Sequence, residues 1–97
     1  MSRNRFIVCY DVRDPARLRR THTTMLGFGD PLQYSVFLCE LSRAERVLME
    51  TSLRRVVSLA HDSVIVIDLG PARGTAAKRM VRLGAGPIPR SERGIVV

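Results

Sequence analysis

FIVCYDVRD, running from Phe6 to Asp14, decides how the rest of the chain is read. Phe6, Val8 and Tyr10 alternate with Ile7 and Cys9, so a strand beginning at Arg5 carries apolar side chains on both faces. That is the pattern of a strand in the middle of a sheet, covered on two sides. The run then closes on Asp11. An ionised carboxylate withdrawn from water without a partner is costly, so a strand that delivers one at its tip caps a turn, pairs with a charge or binds a cation. Asp14-Pro15 follows as a helix N-cap with proline at the first helical position. Leu18, Met25 and Leu26 mark one apolar face of that helix, and Gly27 supplies its stop.

Beyond the helix, Gly27-Phe28-Gly29-Asp30-Pro31 reads as a turn, and LQYSVFLCEL (Leu32 to Leu41) as strand, long enough for two short strands sharing a bend. Leu32, Tyr34, Val36 and Leu38 alternate there with Gln33, Ser35, Phe37 and Cys39. Ser42 and Glu45 form a capping box, and Ala44, Val47, Leu48, Thr51 and Val56 recur at helical spacing toward Leu59. His61-Asp62-Ser63 breaks this second helix, and the β-branched run VIVIDL, Val64 to Leu69, is a strand. The order is β-α-β-β-α-β, which predicts an α+β, ferredoxin-like domain over residues 1–69 with both helices on one face of an antiparallel sheet. Because both strand faces are apolar, the bare face should be covered by another subunit. Residues 70–97, broken by glycine and proline, read as a basic arm docking on that partner. Within it Thr75 to Leu83 suits a short basic helix, and Ile95-Val96-Val97 suits addition to a sheet edge.

A chain of 97 residues is one domain with a thin core, which oligomerisation would help. With 45% hydrophobic and 26% charged residues it is globular, and no apolar run approaches the ~20 residues of a membrane helix. The N-terminal apolar run is too short for a secretory signal, so the expectation is a soluble, cytoplasmic protein with no membrane partner. Cys9 and Cys39 lie in apolar runs without CxxC spacing and read as reduced core thiols. The formal charge of +7 is carried by fifteen Arg against one Lys, a bias that suits phosphate recognition and equally suits a GC-rich genome. Residues 1–69 hold ten basic and eight acidic side chains, whereas residues 70–97 hold six basic and one acidic, so most of the excess lies in the arm. Arg17, Arg20 and Thr24 share one helix face by spacing, which offers a phosphate-binding stripe or a solvated surface. Arg73, Lys78, Arg79 and Arg82 offer a second basic patch. Glycine-rich phosphate loops and metal-ligand spacings are absent, Ser35 has no histidine near it in sequence, and His22 and His61 read as ordinary.

VCYDV, with Asp11 closing the first strand, an arginine-bearing helix, QYSVF from Gln33 to Phe37 and a capped second helix together resemble the CRISPR-associated Cas-two family, the small partner of the spacer-integration machinery. The resemblance covers residues 5–69, and the LG at 83–84 with the terminal IVV resembles members that exchange a C-terminal strand across a dimer. It implies a homodimer in which two Asp11 carboxylates approach the two-fold axis, and either a Mg²⁺- or Mn²⁺-dependent endonuclease acting on RNA or DNA, or a non-catalytic adaptor bridging integrase dimers on DNA. Carried over residue by residue, it makes Asp11 the catalytic and metal-holding residue, Tyr10, Ser35 and Phe37 supporting residues, and Arg17, Arg19 and Arg20 the candidates for nucleic-acid contact. A basic residue that the family often has just before the glutamine is replaced here by Asp30-Pro31-Leu32.

Overall fold

The computed structural model describes residues 2–74 and 79–86. The element order is β1 (Asn4–Asp11), α1 (Pro15–Leu26), β2 (Gly29–Gln33), β3 (Val36–Leu41), α2 (Arg43–Val56) and β4 (Ser63–Pro71). The strands form one antiparallel sheet in the order β2-β3-β1-β4, so β1 is internal, as its two apolar faces require. Both helices pack on the face to which β1 sends Phe6, Val8 and Tyr10, and the expected ferredoxin-like arrangement is the one observed.

Alternation along the strands divides the apolar residues between two surfaces. Phe6, Val8, Tyr10 and Val12 meet Phe37, Cys39 and Leu41 of β3, Met25 of α1, and Met49 and Leu53 of α2 in a closed core. On the opposite face Ile7 stands between Leu38 and Ile67, and Cys9 between Val36 and Ile65. No described helix covers them, and Ile65 and Ile67 are 56% and 45% exposed. Cys9 therefore belongs to the bare face, whereas the Cys39 thiol lies in the core, where burial pushes its pKa up to about 12.

Both helix starts follow from their caps. Asp14 accepts a hydrogen bond from the Arg17 backbone N–H at 2.9 Å with Pro15 next to it, and Ser42 and Glu45 complete a reciprocal capping box. The buried face of α2 differs from the sequence expectation, which placed Ala44, Val47, Leu48 and Thr51 inward and carried the helix toward Leu59. Met49 and Leu53 are buried, Val47 and Leu48 are 59% and 60% exposed, and the helix ends at Val56. Two apolar sets at helical spacing occur in this segment, and contact with Phe6 and the α1 side chains selects the smaller one.

A second difference lies in the hairpin. The turn predicted over Gly27 to Pro31 is confined to Gly27-Phe28, with Gly29 to Pro31 already in β2, and the bend expected within Leu32 to Leu41 falls at Tyr34-Ser35. Pro31 is tolerated because β2 is an edge strand, where a missing N–H costs least. Gly29 is required by close approach: a Cβ there would lie 2.6 Å from Cys39 Sγ and nearer still to the Leu38 carbonyl oxygen. Two-residue hairpin loops usually need positive φ, yet no described non-glycine residue has it, and a register shift between Pro31 and Gln33 accompanies the reversal. β4 pairs with β1 through Pro71, and Ala72 N–H donates to the Arg3 carbonyl, so the sheet runs past Leu69. The predicted helix over Thr75 to Leu83 falls partly, and the Ile95-Val97 strand wholly, outside the described residues; Val81 and Leu83 are exposed.

The assignment of α2's inner face predicts that Met49→Ala costs about 2–5 kcal/mol by leaving a cavity. Leu48→Ala should change stability by no more than about 0.5 kcal/mol. Urea denaturation of the two variants checks this, and comparable losses would mean that the helix is rotated.

Candidate functional site

Four segments converge at the end of the sheet where β1 finishes: the β1–α1 turn, the β2–β3 hairpin, the α2–β4 loop and the first residues of β4. Two carboxylates there have structural partners. Asp14 caps α1, as predicted. Asp62, with no exposed side-chain surface, accepts from Arg17 Nε at 2.9 Å, Arg17 Nη2 at 3.1 Å, the Arg13 backbone N–H at 3.1 Å and the Ser58 backbone N–H at 2.8 Å. The Arg17 guanidinium and then the Ser58 amide hold the Asp62 carboxyl far below the usual carboxylate range. Nothing in the sequence marks this residue, because its partner is 45 positions away.

Asp11 is the exception. It is exposed on the bare-face side of the strand end, paired in register with Ser63 of β4, and among the described residues nothing hydrogen-bonds or ion-pairs with its carboxylate. The tasks that would have made it an ordinary structural aspartate are performed by Asp14 and Asp62.

The supporting residues surround the same strand end on its other face. Tyr10 is buried, its N–H donates to the Ser35 carbonyl at 3.1 Å, and its hydroxyl lies 3.3 Å from the Tyr34 carbonyl and 3.2 Å from His22 Nδ1. Burial, reinforced by Tyr34, pushes the Tyr10 phenol up to about 12, so it stays neutral at any working pH. Phe37 is fully buried, with its ring centroid 6.1 Å from that of Tyr10. Ser35 contributes through its carbonyl, which ties the hairpin to β1. His22, read from sequence as ordinary, stands between Phe37 and Tyr34, and only the fold brings these rings together.

The three candidate arginines separate into two kinds. Arg17 is paired with Asp62 through Nε and Nη2, so it is not a free member of a phosphate-binding stripe with Arg20. Arg19 and Arg20 are exposed, and among the described residues neither has an ion-pair partner.

Fold and strand end together define a small ferredoxin-like α+β domain whose first strand presents a free carboxylate beside an arginine-bearing helix. The family model described as "CRISPR associated protein Cas2" matches residues 4–74, and the chain belongs to this family. A CRISPR-associated endoribonuclease Cas2 of Geobacter sulfurreducens is 45% identical over 73 residues, covering 75% of this chain and 77% of that one. The crystal structure of Streptococcus pyogenes Cas2 at pH 6.5 superposes with a TM-score of 0.72 at 30% identity, covering 82% of this chain and 99% of the other. A Thermus thermophilus protein titled hypothetical protein TT1823 superposes with a TM-score of 0.74 at 26% identity, covering 91% and 99%. No described helix is long and apolar enough to cross a membrane.

The Asp62 contacts carry a pH dependence of fixed sign. A carboxyl whose native pKa lies below its unfolded value stabilises the fold above the unfolded pKa and loses that contribution as pH falls. Wild-type stability should therefore fall between about pH 5 and pH 2. Asp62→Asn should be less stable at neutral pH and lose less over that acid range. Thermal unfolding across pH checks this; parallel acid limbs in the two proteins would count against the assignment.

Proposed function

We propose that the chain acts as a homodimer that hydrolyses nucleic-acid phosphodiester bonds at paired Asp11 carboxylates, in the spacer-acquisition step of CRISPR defence and beside an integrase subunit. The observation that supports this most is the contrast among neighbouring carboxylates: Asp14 and Asp62 are consumed by the fold, and Asp11 is left exposed without a partner among the described residues. The relatives' name, endoribonuclease, agrees with it.

Among the described residues no three His, Cys, Asp or Glu side chains gather into a metal-binding group. One chain thus offers a single hard oxygen ligand here, too few for Mg²⁺, which takes about six oxygens and retains water when the protein supplies few. Two Asp11 side chains across a dimer, with water and a substrate phosphate, are the right donor chemistry for Mg²⁺ or Mn²⁺. A cation held there would polarise the phosphodiester and lower the pKa of a water. Asp11 would orient this group, Arg19 and Arg20 would neutralise the flanking backbone, and the Tyr10, Ser35 and Phe37 contacts would keep the strand tip in place.

The single carboxylate per chain also favours a second reading, a non-catalytic adaptor that carries DNA on its arginines and bridges integrase dimers. Asp11→Asn separates the two. The enzyme reading expects metal-dependent cleavage of RNA or DNA to fall to background while sedimentation still reports a dimer; cleavage that survives the substitution in a clean preparation would refute it. Under either reading Arg19→Ala and Arg20→Ala should each reduce the slope of log affinity against log salt by about one, and an unchanged slope would remove them from the interface.

A further inference from the structure

Tyr34 is 77% exposed, at the reversal of the β2–β3 hairpin, where a flexible polar residue is the usual occupant. Its position is fixed all the same. The Tyr34 ring stacks on His22, with centroids 5.9 Å apart and planes inclined by 27°. His22 in turn meets Phe37 edge-on at 5.4 Å, and Phe37 is fully buried. The Tyr10 hydroxyl lies within hydrogen-bond distance of both the Tyr34 carbonyl and His22 Nδ1. The three rings form a ladder from core to solvent, and its last rung is held from both backbone and ring. Because His22 covers one side of Tyr34, the exposure belongs to the outer face.

A rigid aromatic with one covered and one open face is a surface on which a flat ligand stacks without an ordering cost. Charge beside it narrows the ligand. Arg19 precedes His22 by one helical turn on the same face of α1, its head is exposed, and it carries no ion pair among the described residues. A π-face next to a free guanidinium suits a nucleobase with its phosphate. The base must be unpaired, since a base inside a duplex already has both faces covered. The platform lies on the helix side of the sheet, so covering the bare face with a second copy would leave it accessible.

We infer that Tyr34, seated on His22, is a stacking platform for an unpaired base of single-stranded RNA or DNA, with Arg19 on the adjoining phosphate. This rests on the nucleic-acid part of the proposed function and is independent of chemistry at Asp11. The test uses the full chain in EDTA, so cleavage plays no part, with single-stranded RNA and DNA oligonucleotides containing 2-aminopurine and a blunt duplex of the same sequence. Wild type should quench the 2-aminopurine of at least one single strand. Tyr34→Ala should lose the quench and weaken single-strand affinity roughly tenfold while leaving duplex affinity unchanged. Tyr34→Phe and Tyr34→Trp, which keep a ring, should retain both, and they carry the test if the alanine variant melts early. Unchanged affinity and quench in Tyr34→Ala, an equal loss on the duplex, or no single-strand binding by wild type would each overturn the inference. Asp11→Ala, assayed alongside with Mg²⁺ for cleavage and with EDTA for quench, keeps the two proposals apart: a failed cleavage reading leaves the quench result standing.

Discussion

The buried pair of Asp62 and Arg17 is the constraint on which the functional end of this molecule depends. One carboxylate receives two guanidinium hydrogen bonds and two backbone amides, joining the turn that leaves β1, the first turns of α1 and the loop that enters β4. An ion pair with so many partners contributes less to net stability than to fixing geometry, and removing Arg17 would leave a carboxylate with no exposed surface short of two hydrogen bonds. Here the fixed geometry is the exit direction of the chain after Asp11. With Asp62 bracing the turn and Asp14 capping the helix, the carboxylate that ends β1 has no partner among the described residues.

This division of labour among three aspartates explains which parts were legible in the sequence. Local rules identified Asp14, since N-cap, proline and helix follow one another within four residues, and they identified Ser42 and Glu45 for the same reason. The central position of β1 was legible because its pattern is apolar on both faces. Asp62 was not legible: its meaning comes from Arg17, across two elements. Tyr34, His22 and Phe37 were equally opaque as a group, because the hairpin, the helix and the core strand contribute one ring each.

Where the sequence misled, two local signals competed and tertiary contact chose between them. In α2 the set beginning at Val47 and Leu48 is as apolar as the set at Met49 and Leu53, and spacing along one helix carries no information on where Phe6 lies. Ahead of the hairpin, GFGDP suggested a five-residue turn, but only Gly27 and Phe28 form it: Gly29 is demanded by the close approach of β3, and Pro31 is tolerated by its place on an edge. Punctuation residues report a backbone requirement, and an edge strand has the same requirements as a loop.

The two faces of the sheet bear on the metal question in a way that neither does alone. The helix-covered face is closed, so in the proposed dimer the apolar row of Ile7, Cys9, Val36, Leu38, Ile65 and Ile67 would be the surface for a second copy, and Asp11 stands at the end of that row. In the proposed dimer, covering the row lowers the dielectric around two carboxylates of like charge at the moment they approach. Their repulsion strengthens as water leaves, and an uncompensated pair would oppose the association that the apolar surface drives. A divalent cation would turn the same pair into a favourable site. Under the proposed function the hydrophobic drive to pair two sheets and the electrostatic need for a cation would coincide, because Asp11 stands at the rim of the apolar row.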